Sequence, residues 1–145
     1  GMQSYAEKSM TSHMSNLQNE FTKQNKYNKT APFRDVEPEE IDRIIKNSIR
    51  RSERYRAMTA EGKSKEEILK SFDKKRKMRI FSWKGDIDTV MTPRDSIRYY
   101  KNYLQGAMMS MNPQTGEVKA YVGGIDYKHF KYDMVSTGKR QIGST

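Results

Sequence analysis

The spacing of apolar residues changes near residue 76, and this change limits what the chain can fold into. Before that point, apolar side chains recur every three to four residues, which is typical of amphipathic helices. After it, apolar and polar residues alternate in short runs separated by glycine and proline, which indicates strands joined by turns. We therefore predict an α+β fold, with N-terminal amphipathic helices followed by a small antiparallel sheet.

Three helices are predicted before residue 76. The first runs from Met2 to Lys23, and its apolar stripe consists of Ala6, Met10, Met14, Leu17 and Phe21. The second begins near Pro38 and continues to Gly62, which can end a helix in a left-handed turn. Its buried stripe consists of Ile41, Ile44, Ile45 and Ile49. The third starts at Ser64, the first residue of a capping box, and runs to Phe72.

The next segment alternates and predicts a pair of strands followed by a helix. Lys77–Trp83 is the first strand, with Met78 and Ile80 facing inward, and Ile87–Met91 returns as the second. Thr92 is placed to cap a helix that runs to Gly106. The stripe of this helix consists of Ile97, Tyr100 and Leu104. A strand-turn-strand pattern then spans 107–124, with its turn at 112–116.

The chain carries a net charge of +10, from 28 Lys and Arg against 18 Asp and Glu, which raises the question of an anionic partner. Its densest positive run is Lys74–Lys77 together with Arg79. A solvated face is the ordinary interpretation of such a run, and an anionic polymer or lipid headgroups are the alternatives. Nucleic-acid modules usually place exposed aromatic residues between the basic ones, which this run lacks. We expect no nucleic-acid partner.

Several classes of site are not supported by the sequence. The chain has no cysteine, so it forms no disulfide and has no zinc-finger spacing. His129 stands apart from any Asp, Glu or Cys cluster with the spacing of metal ligands, so we expect no metal and no cofactor. The aromatic residues around it fit a packed or substrate-flanking loop better than a stacking platform for bases. These residues are Tyr127, His129, Phe130 and Tyr132, with Lys128 and Lys131 between them.

Three segments resemble one family. Met-Thr-Pro-Arg-Asp-Ser-Ile at 91–97, Asn-Pro-Gln-Thr-Gly-Glu-Val-Lys-Ala-Tyr-Val-Gly-Gly at 112–124 and Arg-Gln-Ile-Gly-Ser-Thr at 140–145 follow one another as in the class A penicillin-binding proteins. Met-Gln-Ser-Tyr-Ala-Glu at 2–7 resembles, more loosely, a helix that follows the glycosyltransferase module of that family. The family has aspartate more often than asparagine at the position of Asn112, and this chain departs from it there.

The resemblance implies that Ser144 is the serine that becomes acylated. In the family the motif reads Arg-Gln-x-Gly-Ser-[Ser/Thr]-x-Lys, and its lysine would fall three residues after Ser144, beyond Thr145. We therefore expect the chain alone to be inactive. The longer protein would be a peptidoglycan synthase, both glycosyltransferase and D,D-transpeptidase, at the periplasmic face of the cytoplasmic membrane. Its partners would be D-Ala-D-Ala stem peptides and β-lactams, with the membrane reached only through an upstream anchor.

The same resemblance suggests how the chain is organised. Residues 2–23 would be the linker helix after the glycosyltransferase module, and 24–75 a helical insertion. That this insertion docks a regulatory protein is a separate hypothesis. Residues 76–145 would be linker strands and the N-terminal part of the transpeptidase domain. A competing hypothesis is a basic interaction module that binds nucleic acid or a regulatory protein through the helices and basic run of 38–79.

Overall fold

The computed structural model describes residues 1–139, and within them it contains five helices and four strands. The helices are α1 Met2–Gln24, α2 Pro38–Arg51, α3 Glu53–Ala60, α4 Lys65–Ser71 and α5 Pro93–Lys101. The strands are β1 Arg76–Ile80, β2 Ile87–Met91, β3 Met108–Met111 and β4 Val118–Val122. β1 pairs with β2 and β3 with β4, both antiparallel. The α+β class predicted from the sequence is confirmed.

The chain divides into two compact units. The first, Asn25–Tyr103, contains α2 to α5 with the β1–β2 pair. The second contains Gly1–Gln24 and the described residues from Leu104 to Lys139, and therefore α1 with the β3–β4 hairpin. The domain limits suggested by the resemblance, at residues 23 and 75, concern the modules of a longer protein and stay a prediction.

The core of the Asn25–Tyr103 unit is made by one face of α2 and the end of α4. Ile49, Ile68 and Phe72 are at most 1% exposed, and Ile41 and Ile45 complete the buried cluster. Ile44, predicted to belong to the buried stripe, is only half-buried. Burying an aliphatic side chain of this size stabilises a fold by about 1.5–3 kcal/mol, so these few residues supply much of the unit's stability.

The predicted second helix is two helices, because the chain turns at Ser52. Its backbone is extended, with φ −70° and ψ 149°. The Ser52 hydroxyl donates to the Ile49 carbonyl at 2.6 Å and accepts from the Tyr55 amide at 3.2 Å. A serine side chain can satisfy backbone groups in this way and so replace helical hydrogen bonds. The prediction of one continuous helix from Pro38 is wrong at this residue.

The predicted helix signals at Gly62, Ser64 and Thr92 are confirmed. Gly62 has φ +75°, and the Lys63 amide bonds the Met58 carbonyl at 3.1 Å, so α3 ends in a left-handed turn. The capping box at Ser64 is complete. Thr92 accepts from the Asp95 amide at 3.0 Å, which starts α5. Each signal acts between residues at most five positions apart, so local sequence was enough to predict it.

The strand β1 and the helix α5 are both shorter than predicted. β1 ends at Ile80, because tyrosines of α5 take the next peptide: Tyr100 Oη accepts from the Phe81 amide at 3.2 Å, and Tyr99 Oη donates to the Phe81 carbonyl at 2.7 Å. The Lys77–Trp83 strand is therefore wrong beyond Ile80. α5 ends at Lys101 and does not reach Gly106.

In the other unit, α1 packs on β4, and its buried side chains lie along one face of the helix at steps of four or eight residues. Ala6, Met14 and Gln18 are buried, whereas Leu17 is 45% exposed. The prediction had placed Leu17 inward because it is apolar, but steps of four residues from Met14 lead to Gln18. The Gln18 Oε1 atom accepts from the Leu104 amide at 2.8 Å, so the buried polar group is paired.

Candidate functional site

The β3–β4 hairpin is closed by a turn built on Asn112. Its Oδ1 atom accepts from the Gln114 amide at 2.9 Å and from the Thr115 amide at 3.3 Å. Its backbone bonds Gly116 and Glu117, both at 2.9 Å, and Gly116 takes the positive φ of +74° that the turn requires. A single acceptor oxygen serves both side-chain bonds, and aspartate would supply the same oxygen. The departure from the family pattern at Asn112 therefore preserves the turn.

The free edge of β4 is closed by one side chain of α1. Gln3 Oε1 accepts from the Tyr121 amide at 2.8 Å, and Gln3 Nε2 donates to the Tyr121 carbonyl at 2.9 Å. The side-chain amide thus takes the place of a neighbouring strand's peptide group and protects the edge from pairing with another chain. Ala120 lies buried beside it, only 2% exposed. Sequence analysis assigned no role to Gln3, although the segment 2–7 carried part of the family resemblance.

The segment after β4 is tied back to the strand by Asp133. Its Oδ2 atom accepts from Tyr121 Oη at 2.5 Å. Its Oδ1 atom accepts from the amides of Val135 and Ser136 at 2.9 and 3.1 Å. The Met134 amide adds a backbone bond to the Gly123 carbonyl at 2.8 Å. Together these bonds fix residues 133–136 against the end of β4, and we call this arrangement the Asp133 clasp.

Gly123 is the residue that lets the clasp close. A Cβ atom at this position would lie 2.9 Å from Asp133 Oδ1 and 3.0 Å from its Cγ atom. Asp133 cannot move aside without losing its hydrogen bonds, so a side chain at residue 123 would disrupt the clasp. Sequence analysis interpreted Gly123 and Gly124 only as loop glycines that bring the strand to the next segment.

The electrostatics of the clasp indicate a fixed carboxylate. The hydrogen bond from the Tyr121 hydroxyl, followed by that from the Ser136 amide, lowers the pKa of Asp133 to about 2. Such a group stays ionised at neutral pH and accepts hydrogen bonds without taking up a proton. Its chemistry fits a structural acceptor and does not fit a general acid or base. Neither Asp133 nor Tyr121 was singled out in the sequence.

His129 is nearly buried and belongs to a turn. Its Nδ1 atom lies 3.0 Å from Asp126 Oδ1, which also accepts the His129 amide at 2.9 Å. The Phe130 amide bonds the Asp126 carbonyl at 2.9 Å. Tyr127 and Tyr132 are largely exposed. Within residues 1–139, no three His, Cys, Asp or Glu side chains come close enough together to hold a metal ion.

Ser144 lies outside the described residues, as does the whole segment 140–145. The structure describes the approach to it as far as Lys139, five residues earlier in the chain. Before Lys139 the chain passes in order through the turn at Asn112, the strand β4 with Gln3 bonded to its edge, and the Asp133 clasp. Across residues 1–139, the helices are too short or too polar for any of them to cross a lipid bilayer.

Comparison with known proteins gives the family. The model of the penicillin-binding protein middle domain matches residues 28–104, just over half of the chain. The chain belongs to the class A penicillin-binding proteins. The matched range includes the Asn25–Tyr103 core and ends just before the β3–β4 hairpin, so this family assignment and the hairpin motif come from different residues.

Individual class A proteins are similar in sequence to this chain over short stretches. Penicillin-binding protein 1A of Rickettsia conorii is 51% identical over 63 residues, and that of Rickettsia typhi is 43% identical over 63 residues, in both cases 42% of this chain. The protein of the same name from Neisseria flavescens is 34% identical over 73 residues, 50% of this chain. The chain covers about 8% of the length of each of these relatives. No solved structure matches the chain.

Proposed function

We propose that this chain is part of a peptidoglycan synthase and that Ser144 is the nucleophile of its transpeptidase. The longer protein would polymerise glycan strands and cross-link their stem peptides at the periplasmic face of the cytoplasmic membrane. The observation that carries the proposal is the order of the segments. A middle domain at 28–104 is followed by a hairpin with the family's turn, and then by Arg-Gln-Ile-Gly-Ser-Thr at 140–145.

The reaction is a two-step acyl transfer. The Ser144 hydroxyl attacks the carbonyl carbon of the D-Ala-D-Ala amide, a base takes the hydroxyl proton, and D-alanine leaves as the free amine. The ester that forms on Ser144 is then attacked by an amine of a second stem peptide, which releases the serine and completes the cross-link. A β-lactam would acylate the same hydroxyl by opening its ring.

The base is the reason we expect the 145-residue chain to be inactive by itself. A serine hydroxyl is a poor nucleophile until a neighbouring group takes its proton. In the family motif this group is a lysine three residues after the serine, which would lie beyond Thr145. The described residues contribute the scaffold: Gln3 closes the edge of β4 and Asp133 holds the following segment to its end.

The test is intact-mass spectrometry of the longer protein after exposure to a penicillin. We expect one penicilloyl adduct per protein, and none in a Ser144→Ala variant that folds normally. The 145-residue chain, treated in the same way, should remain unmodified. A folded longer protein that gains no mass, or a Ser144→Ala variant that still does, would contradict the assignment of the nucleophile.

A regulatory protein that docks on residues 24–75 remains a second proposal. The observation that favours it is the basic last turn of α2, where Arg50 and Arg51 are exposed. Deleting the segment would not test it, because Ile49 and Phe72 belong to the core that packs against Ile97. Surface substitutions at Arg50 and Arg51, with binding measured by pull-down, leave that core intact. Unchanged capture of the partner by such variants would contradict docking at this surface.

A further inference from the structure

The four basic residues Lys74–Lys77, which we call the basic run, form an exposed cationic segment. Lys74 and Lys75 lie in the turn after α4, and Arg76 and Lys77 are the first two residues of β1. Each of the four is exposed to solvent. Within residues 1–139, none of them forms an ion pair with a carboxylate. The unit that carries the run, Asn25–Tyr103, has 21 Lys and Arg against 13 Asp and Glu, so most of the chain's positive charge lies there.

The acidic residues nearest to the basic run are engaged by other arginines. Asp73, which precedes the run, pairs with Arg94 at 2.7 Å. Asp88, on the neighbouring strand, binds Arg79 through two hydrogen bonds of 2.8 and 3.0 Å. Asp88 is held by a bidentate pair and Asp73 by a single charge-assisted bond, so each acid is already paired with an arginine outside the run. Four adjacent cations therefore remain for an external anion.

We propose that the basic run binds the surface of a lipid bilayer that contains anionic lipids. A polybasic segment gains affinity for such a surface with every Lys or Arg that comes close to it. Val90 pairs with Lys77 across the β1–β2 ladder and is 57% exposed, so an apolar side chain lies beside one of the four cations, as suits a bilayer interface. The choice of a membrane rests on the proposed function, in which the protein works at the membrane face, and it departs from the expectation that the membrane is reached only through an upstream anchor. The electrostatic argument is independent of both.

The packing of the neighbouring aromatic residues disfavours nucleic acid as the partner. The aromatic residues that follow β1 are packed on each other: the Phe81 and Trp83 rings meet edge to face at 5.4 Å, and Phe81 is buried. Phe81 is therefore closed to a stacking base, and Trp83 is partly covered by it.

The experiment compares two variants of the 145-residue chain that have lost the same charge. The test variant carries Lys74→Gln, Lys75→Gln, Arg76→Gln and Lys77→Gln. The control variant carries Arg50→Gln, Arg51→Gln, Lys63→Gln and Lys65→Gln, which are exposed positions of the same unit. Binding is measured by co-sedimentation with phosphatidylcholine vesicles that contain about one third phosphatidylglycerol, and circular dichroism confirms that both variants fold.

We expect a difference in binding that depends on position. Each cation near the surface contributes about fivefold, so the test variant should bind roughly several hundred-fold more weakly, and the control variant less than about tenfold more weakly. Binding of the unmodified chain should fall steeply as salt is raised, and vesicles of phosphatidylcholine alone should not retain it.

Three outcomes would overturn the proposal. An equal loss of vesicle binding in both variants would mean that only the net charge of the chain matters. Binding of the unmodified chain to vesicles of phosphatidylcholine alone would mean that the binding is not electrostatic. Tighter binding to random-sequence duplex DNA than to the anionic vesicles, lost in the test variant, would assign the run to nucleic acid instead. Penicillin acylation of the longer protein is measured separately, so failure of vesicle binding and failure of the Ser144 proposal can be told apart.

Discussion

At the scale of single residues, the Asp133 clasp makes a prediction about pH. The Tyr121 hydroxyl is the largest cause of the lowered pKa of Asp133, about 2 against an ordinary 3.8. A carboxyl group whose pKa is lower in the folded chain stabilises the fold above pH of about 3.8, and this stabilisation disappears as pH falls toward 2. Removing the hydroxyl should raise the pKa toward its ordinary value.

The measurement is an NMR titration of the Asp133 carboxyl carbon in the unmodified chain and in Tyr121→Phe. We expect the midpoint to move upward in the variant, and the amide of Met134 to exchange faster with solvent at neutral pH. Tyr127→Phe serves as the control, because that side chain is 77% exposed. An Asp133 midpoint that stays near 2 in Tyr121→Phe would show that the hydroxyl is not what lowers it.

Gly123 gives a second prediction at this scale. Gly123→Ala would place a Cβ atom 2.9 Å from Asp133 Oδ1, and overpacking of this kind costs about 1–3 kcal/mol. Gly124→Ala is the matched control, since its Cβ would meet nothing closer than the Tyr132 carbonyl oxygen at 3.7 Å, an ordinary contact. Hydrogen exchange at Met134 should accelerate in Gly123→Ala and hardly change in Gly124→Ala. Equal exchange in the two variants would contradict this account of Gly123.

At the scale of elements, Ser52 separates α2 from α3. Ser52→Ala removes the oxygen that caps the Tyr55 amide, and loss of such a cap costs about 0.5–2 kcal/mol. Ser48→Ala is the control, because the Ser48 hydroxyl only bonds the carbonyl one turn back, Ile44 at 3.0 Å, inside α2. Urea unfolding should show a lower midpoint for Ser52→Ala than for Ser48→Ala. The reverse order would mean that the cap is not what stabilises this break.

The elements themselves divide into those that short-range sequence patterns predict and those that they do not. The capping box at Ser64 and the turn at Asn112 were predicted, because each depends on residues within five positions. The ends of β1 and α5 were not, because β1 stops where α5 tyrosines 18 and 19 residues away bind the Phe81 peptide. No periodicity in either segment contains that information.

At the scale of the whole molecule, the single tryptophan reports on one unit. Trp83 lies in the Asn25–Tyr103 unit, and so does Ile49, which is fully buried. Ile49→Ala should lower the free energy of unfolding of this unit by about 2–5 kcal/mol, followed by tryptophan fluorescence in urea. Leu17→Ala, at an exposed position of the other unit, should leave the same transition unchanged. A small effect of Ile49→Ala would mean that the α2 stripe is not the core of this unit.

The sequence by itself determined the α+β class, the order of the elements apart from the break at Ser52, the family and most caps and turns, since all of these depend on residues close together along the chain. The tertiary structure decided which side chains complete each unit. Gln3 meets the Tyr121 peptide 118 residues away, Gln18 meets Leu104 86 residues away, and Asp133 meets Tyr121 across 12 residues. A polar side chain at a distant position shows in the sequence only that it needs a partner, and the fold determines which group that partner is.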